Sequence, residues 1–430
     1  MKVLIALIIL IAIMVIGVPI PLAFLASAIF LVLINGTNPS MLLIYGYGSV
    51  NTVILLTIPL FVLAGSIMDK GGIGEKLVTS VGKFVGHIKG GLGIVTVVVC
   101  GVFGAVSGSS SATLTCIGSI MTPRLKENGY QPGRIGALLA SSGVLGVLIP
   151  PSMIQILYAW SSNSSVLACF LATVVPGVVL IIIFSIVNLF WVRNDPNVKI
   201  TSVSDITKPK LKARGDSAVP ALLMPIIILG SIYGGFLSAT EAAALSVIYA
   251  VPVGGFYYKR INRETFKEAL INAGETGGVI MAMLFGVQIL SHLYMSENLP
   301  NLILGVLTKI STNKNVILLM INIFVIILGM LMDDCSCTIL ATPILLPIVQ
   351  QLGVSPIQFA AIIGVNVGMA NVTPPTAPLL YLGGRVANAE VKDMLKPTLQ
   401  LILFAWLPVL IVTTYVPNFA LFLPRLFGYV

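Results

Sequence analysis

Charge is what this chain has least of. Only 9% of its 430 residues are Asp, Glu, Lys or Arg, against about 25% in ordinary soluble domains. With 57% hydrophobic residues and a mean hydropathy of +1.04, a water-soluble globule is excluded. Histidine is nearly absent, and His87 and His292 are too few to build a metal cluster. The five cysteines, Cys100, Cys116, Cys169, Cys335 and Cys337, lie in apolar segments. Their spacing suits neither a disulfide framework nor a zinc site. No Walker-type phosphate loop occurs, which excludes ATP hydrolysis by this chain. No nucleophile–base constellation is visible either. Paired-aspartate proteolysis needs aspartates on two helices, whereas Asp333 and Asp334 are neighbours. The sequence does not read as an enzyme.

What the chain has instead is a series of apolar runs long enough to cross a bilayer as helices. Barrel strands would alternate polar and apolar residues, and these do not. The pattern predicts an all-α polytopic membrane protein. Spans are expected near 3–18, 20–35, 50–68, 91–107, 134–160, 165–193, 218–236, 238–258, 275–295, 315–332, 357–384 and 397–423. Met1-Lys2 and the apolar run after it resemble a signal peptide. No convincing small-residue cleavage site follows, so the run reads as a retained helix. The segments 109–123 and 334–349 are too short, and too polar at their start, to cross alone. Each reads as the return arm of a re-entrant helical hairpin. Such backbone survives at membrane depth only where protein buries it or where it lines a wet cavity.

The chain also matches itself. A single shift of 224 residues lays Pro150 on Pro374, Pro123 on Pro347, Gly129 on Gly353, Pro132 on Pro356 and Phe61 on Phe285. Two repeats follow. The first, 1–216, holds helices 1–68, connector 70–90, hairpin 91–123, a proline-broken helix 134–160, helix 165–193 and connector 194–216. The second, 217–430, holds helices 218–295, connector 296–314, hairpin 315–349, broken helix 357–384 and helix 397–423. Duplicated, interrupted apolar segments are a sequence signature of secondary transporters with a midplane site.

The net charge of +9 is spread over short connectors, where it sets topology and not nucleic-acid binding. Lys70, Lys76, Lys83 and Lys89 mark 70–90 as cytoplasmic. Arg193 and Lys199, with Lys208, Lys210, Lys212 and Arg214, mark the stretch up to 216 likewise, and Lys259, Arg260, Arg263 and Lys267 mark 257–267. Connectors 36–49 and 161–165 carry no Lys or Arg and read as outside. Because 275–295 crosses once, 294–314 lies opposite its repeat mate 70–90. The repeats are therefore inverted, and both termini fall outside. One long helix broken at Pro19 and Pro21 would instead put the N-terminus inside; the repeat mate 225–258 favours two helices. Connectors 71–89 and 297–313 are mildly amphipathic and suit surface struts.

Two polar breaks concentrate the chemistry. Ser107, Gly108, Ser109, Ser110, Ser111 and Thr113 form one; Asp333, Asp334, Ser336 and Thr338 form its mate. Hydroxyls and unwound carbonyls make a hard oxygen cage that suits Na⁺. Helix N-termini there present N–H groups to an anion. Ser and Gly also serve as plain packing residues in membrane bundles; duplication at one repeat position outweighs that reading. An intramembrane carboxylate defaults to function. One of Asp333 and Asp334 is expected to cap the following helix, the other to face the cation or the gate. In the crossing helices, Ser141, Ser142, Gly143, Pro150, Pro151 and Ser152 precede or form one proline break. Asn366, Gly368, Thr373, Pro374, Pro375 and Thr376 do so in the other. Proline removes a donor and clashes with the turn before it, so both helices must break and free carbonyls opposite a tip. The Na⁺ candidates are the tip residues Ser107 to Ser111, Thr113, Asp333, Asp334 and Ser336, with Ser141, Ser142, Gly143, Asn366, Gly368 and Thr373. The substrate candidates are Ser110, Asp334, Pro150 to Ser152 and Thr373 to Thr376. Glu241 reads as the closing member of a capping box opened by Ser238.

Taken together, Ile58-Pro-Leu-Phe-Val-Leu-Ala-Gly-Ser-Ile-Met68, Gly71-Gly-Ile73, Ser107-Gly-Ser109, Ile149-Pro-Pro-Ser152, Ala239-Thr-Glu-Ala-Ala243, Pro343-Ile-Leu-Leu-Pro347 and Thr373-Pro-Pro375 resemble the large membrane subunit of tripartite ATP-independent periplasmic (TRAP) transporters. The likeness runs over nearly the whole chain. It departs at Leu237-Ser-Ala-Thr-Glu-Ala242, where many relatives have a proline. The resemblance implies an elevator-type, Na⁺-coupled importer of small carboxylates, sialic acid (N-acetylneuraminate) or a C4-dicarboxylate, in a bacterial inner membrane. It implies two partners, a small four-helix membrane subunit and a periplasmic substrate-binding protein. A stand-alone Na⁺- or H⁺-coupled carboxylate carrier is the competing reading. A non-transporting scaffold or channel is the third, and a scaffold has no need of duplicated polar breaks.

Overall fold

The structure is a computed structural model and describes residues 2–85, 88–200, 217, 219–374 and 376–430. Pro375 and most of connector 194–216 lie outside the described residues. Every regular element among those described is helical. Among the described residues six helices are long and apolar enough to cross a membrane. Pro132–Leu148 and Met153–Ser162, bent by 44° at their break, pass the same test as a pair.

The N-terminal stretch is two helices, Lys2–Val15 and Ile20–Asn35, packed on one another. Pro19, Pro21 and the positive φ of Gly17 stop a single helix from running through. Lys2 Nζ donates to Asn35 Oδ1 (2.9 Å), and Asn35 Nδ2 donates to Glu297 Oε1 (2.7 Å). The chain start, the end of the second helix and connector 296–314 thus share one end of the molecule. At the other end Lys70 pairs with Glu268, and Arg260 Nη2 donates to Glu75 Oε2 at 2.8 Å. That gathers connectors 70–90 and 257–267 together.

Several boundaries differ from the sequence reading. Connector 36–49 is built around a helix, Pro39–Val50, that was not anticipated. Its Gly46 lies flat on the helix Arg263–Ser296; a Cβ there would stand 2.9 Å from Phe285 Cε2 and Ile289 Cγ1. The span expected at 275–295 is the last part of that 34-residue helix, which takes in Lys267 and is capped by Asn262. The final span begins earlier, at Val391, and ends at Tyr415. Val416 separates it from Pro417–Leu426. Connectors 71–89 and 297–313 are built around helices, Ile73–Val85 and Leu299–Ile310. Ser238 and Glu241 close the capping box: Ser238 N–H donates to Glu241 Oε2 at 2.7 Å, and Glu241 N–H donates to Ser238 Oγ at 3.3 Å.

Packing sorts the helices into two groups. Arg263–Ser296 packs against Ile20–Asn35, Pro39–Val50 and Thr57–Lys70, and the last packs against Ala239–Pro252. The second group runs from Gly91 to Arg193 and from Lys314 to Tyr415, and its halves interlock. Met153–Ser162 packs on Asp334–Gln351, while Pro378–Ala387 packs on Pro132–Gly143 and Ser110–Glu127. Each broken helix therefore lays its far piece on the other repeat.

Candidate functional site

Two helix–break–helix pairs define the site. Gly91–Ser107 turns at Gly108 into Ser110–Glu127, and Lys314–Leu331 turns at Met332 into Asp334–Gln351. Gly108 adopts φ +61°, the left-handed region that glycine enters without a Cβ clash. The return helices are capped by Ser109, which accepts from Ala112 N–H at 3.4 Å, and by Asp333, which accepts from Cys335 and Ser336 N–H at 3.0 and 3.4 Å. Ser336 Oγ also bonds Asp333. The roles left open between the two aspartates thus separate in the geometry: Asp333 is the cap.

Asp334 points elsewhere. Its Oδ2 accepts from Ser110 Oγ and its Oδ1 from Asn371 Nδ2, both at 2.6 Å. One carboxylate therefore touches the first tip and the break of the second crossing helix. Within the first tip, Ser107 Oγ and Thr113 Oγ1 lie 2.8 Å apart, and Thr113 Oγ1 donates to Ser109 O at 2.8 Å. Ser109 and Ser111 hydroxyls are 3.2 Å apart.

The crossing helices close in around these tips. A Cβ at Gly146 would stand 2.5 Å from Thr113 Oγ1 and 2.7 Å from Ser109 O; one at Gly143 would stand 3.2 Å from Ser110 O. Met153 N–H donates to Gly108 O at 3.3 Å across the first break. Ser152, expected to face substrate, donates to Val147 O at 2.5 Å and caps Met153–Ser162. Pro150 and Pro151 are buried, and Thr376 is exposed. Thr373 Oγ1 donates to Met369 O at 2.6 Å. Gly368 lies against Val144 and Trp406.

Ser141 and Ser142 are fully buried, yet neither hydroxyl has a partner. Asn366 Nδ2 donates to Asn322 Oδ1 at 2.8 Å, while its own Oδ1 is unpartnered. Buried polar atoms are almost always paired. Three such oxygens lie among the residues expected from the sequence to meet a cation.

A cavity of about 590 Å³ opens between the two helix groups at the tips. Ser109, Ser110, Ser111, Asp333 and Asp334 supply one polar wall, and Glu275 and Thr276 of the long helix face them. Met153, Ile154, Val279, Ile280 and Met283 line the apolar remainder. Among the described residues no Lys, Arg or His lines it. Asn371, Asn322 and Glu275 were missed in the sequence. Asn322 is an amide inside the apolar helix Lys314–Leu331, Asn371 is an amide at the break just after Pro356–Ala370, and Glu275 is a carboxylate at the first residue of an expected span. For the two buried asparagines the cost of burying polarity was the available signal; for the exposed Glu275 it was a carboxylate within an apolar run.

Paired helix breaks facing broken helices around a central cavity define a membrane transporter of the secondary type. The fold is shared with the YdaH transporter of Alcanivorax borkumensis. The TM-score is 0.62, with 88% of this chain and 87% of that one covered at 13% identity. The family model for the tripartite ATP-independent periplasmic transporter, DctM component, matches residues 7–419. This chain belongs to that family, whose members are transport permeases and not enzymes. It is 32% identical over 410 residues to the isethionate TRAP transporter permease protein DctMQ of Oleidesulfovibrio alaskensis, covering 95% of this chain but only 64% of that protein. It is 32% identical to the C4-dicarboxylate TRAP transporter large permease protein DctM of Pseudomonas aeruginosa, with 87% of each chain covered. With the sialic acid TRAP transporter large permease protein SiaM of Vibrio cholerae the identity is 30%, with 96% of each covered.

Proposed function

We propose that this chain is the translocating subunit of a Na⁺-coupled importer of a small carboxylate, sialic acid or a C4-dicarboxylate, in a bacterial inner membrane. The reading is carried by the unpartnered buried oxygens of Ser141 and Ser142 in the first crossing helix and of Asn366 in the second. Hydroxyl, amide and carbonyl oxygens are the donors a hard monovalent cation takes. Ser141 and Ser142 would hold one ion with carbonyls of the first tip, and Asn366, Gly368 and Thr373 would frame a second. Bound Na⁺ supplies positive charge next to a cavity lined by carboxylates and, among the described residues, by no basic side chain. The N–H groups of Ser110 and Ser111 at the start of Ser110–Glu127 are the chain's own donors for a substrate carboxylate, since Asp333 takes those of Cys335 and Ser336 at the other tip.

In this reading the group built from the two hairpins and broken helices slides, elevator-fashion, against the group around Arg263–Ser296. The two repeats, 1–216 and 217–430, run in opposite directions through the membrane. A periplasmic binding protein delivers substrate and a small four-helix subunit braces the stationary group. The test is reconstitution in proteoliposomes with an inward Na⁺ gradient and a panel of carboxylates, with and without the two partners. Concentrative uptake that needs the gradient and both partners is expected, and Ser141→Ala with Ser142→Ala should raise the Na⁺ half-saturation at least about 10-fold. Full-rate uptake by this chain alone would favour a stand-alone carrier, and uptake indifferent to Na⁺ would end the coupling reading.

A further inference from the structure

We propose that Asp334 is a positioning residue: it ties the two hairpin tips and the second broken helix into one rigid carrier body and is not itself an ion ligand. The inference rests on reading the tips as the transport site.

The geometry is specific. Ser110 and Asp334 are separated by 224 residues, the repeat shift, and both open a return helix. The bond between them therefore joins equivalent positions of the two repeats, at the point where the tips meet. Each carboxylate oxygen accepts one short bond from a neutral donor, one on the first tip and one on the second crossing helix. Hydrogen bonds to an ionised acceptor are roughly twice as strong as neutral ones. Asn371 is 1% exposed and its Oδ1 has no partner, so losing Asp334 would strand its whole side-chain amide. An unpaired buried amide is a strong penalty on any arrangement that lets the tips part. The cap Asp333, by contrast, makes its bonds within its own helix.

Held this way, the starts of the two return helices keep a fixed distance while the body moves, which is what a preformed site between the tips requires. Losing the tie and losing the charge are separable. In Asp334→Asn the amide oxygen still accepts from Asn371, and the amide nitrogen can donate to Ser110 Oγ, whose hydroxyl reverses its role. In Asp334→Ala both bonds vanish. A mirror exchange, S110D/D334S with V147N/N371V, rebuilds the tie with its charge on the opposite repeat.

The experiment measures uptake by the reconstituted complex, together with hydrogen–deuterium exchange at 110–113. Asp334→Ala should lower the maximal rate at saturating Na⁺ by ~30-fold, about the worth of a hydrogen bond to a charged group. It should also speed amide exchange at the first tip, 224 residues from the substitution. Asp334→Asn should keep the maximal rate within about threefold and mainly raise the Na⁺ half-saturation. The mirror exchange should recover most of the rate lost in S110D or D334S alone. If Asp334→Ala fails to fold, Asp334→Asn and the exchange still decide. Asp334→Asn as damaging as Asp334→Ala at saturating Na⁺ would overturn the tie in favour of an ion ligand. So would a mirror exchange with no recovery. Unchanged protection at 110–113 in Asp334→Ala would overturn it too. Faster exchange there together with Na⁺-independent uptake would end the coupling reading and leave the tie standing.

Discussion

At the first tip the helix cap is Ser109, with a single N–H at 3.4 Å; at the same register position the second tip holds Asp333, which takes two N–H groups and the Ser336 hydroxyl. The packing runs the other way. Gly104 and Gly146 cross so closely at the first tip that a Cβ on Gly104 would stand 2.4 Å from Gly146 Cα. The register mates of these glycines are Leu328 and Ala370. The first tip is thus fixed by backbone pressed on backbone; at the second, Gly329 lies on the Ala370 methyl, and a carboxylate holds the helix N–H groups. The repeats share a chain path and divide the chemistry, with the charge placed at one tip only.

The largest expected effect breaks the steric half of that comparison. Gly146→Ala puts a methyl 2.5 Å from Thr113 Oγ1 and 2.7 Å from the Ser109 carbonyl, and backbone cannot yield cheaply. Overpacking of this kind costs about 1–3 kcal/mol. Uptake should fall more than ~10-fold, since a displacement of about 1 Å at a positioned site can cost 10²-fold. The mirror change, Ala370→Gly, removes a methyl at the end of Pro356–Ala370 and should cost no more than about 1 kcal/mol, with uptake retained. Melting in detergent and initial uptake rates measure both. A worse outcome for Ala370→Gly would undo the division.

Next in size is the electrostatic half. Replacing an N-cap by Ala costs about 0.5–2 kcal/mol. Asp333→Ala should sit near the top of that range, because its acceptor is anionic and serves three donors. Ser109→Ala should sit near the bottom, because it loses one long bond. The difference in melting temperature between the two single variants is the readout, and equal shifts would show the caps to be equivalent.

How much of this could be read in the sequence depends on what punctuates the chain. Gly129 and Gly353 both take positive φ and Pro132 and Pro356 both open crossing helices, so the repeat register was visible in residues that act locally. The charge count gathered 70–90 with 257–267, and the Arg260–Glu75 and Lys70–Glu268 pairs hold those connectors at one end. Helix Pro39–Val50 was not legible. Gly46 and Gly48 argue against a helix, and contact with Phe285 and Ile289 overrides them; the Asn38 cap and Pro39 at the first helical position were the start signal passed over. The split between Asp333 and Asp334 was hidden because a cap is defined by where the helix begins, to the residue. Asn371 escaped because its partner lies 37 residues away on another element.

The smallest predicted effect sharpens the comparison at the bases of the two crossing helices. In the first repeat Arg134 Nη1 donates to Asp195 Oδ2 at 2.8 Å and to Trp191 O at 3.1 Å. Its register mate, Gln358, donates instead to the carbonyls of Thr413 and Thr414 at 3.2 and 3.0 Å. One base is held by an ion pair and the other by a neutral amide, so only the first should respond to pH. The N–H of Asn197, and after it the Arg134 guanidinium, hold the Asp195 carboxyl below the usual carboxylate range. A carboxyl depressed in the folded state adds stability above its unfolded value, about 3.9, and loses it as pH falls through the folded value. Asp195→Asn should therefore melt below wild type by a constant gap above about pH 5, and the gap should close below about pH 4. Gln358→Leu should open a gap that does not change with pH, since no group in that contact titrates. Melting curves of the detergent-solubilised protein from pH 7 down to about 3 span that range. A gap for Asp195→Asn that persists at the acid end would mean that the Asn197 and Arg134 contacts do not favour the ionised carboxylate, and the two bases would then be alike in kind.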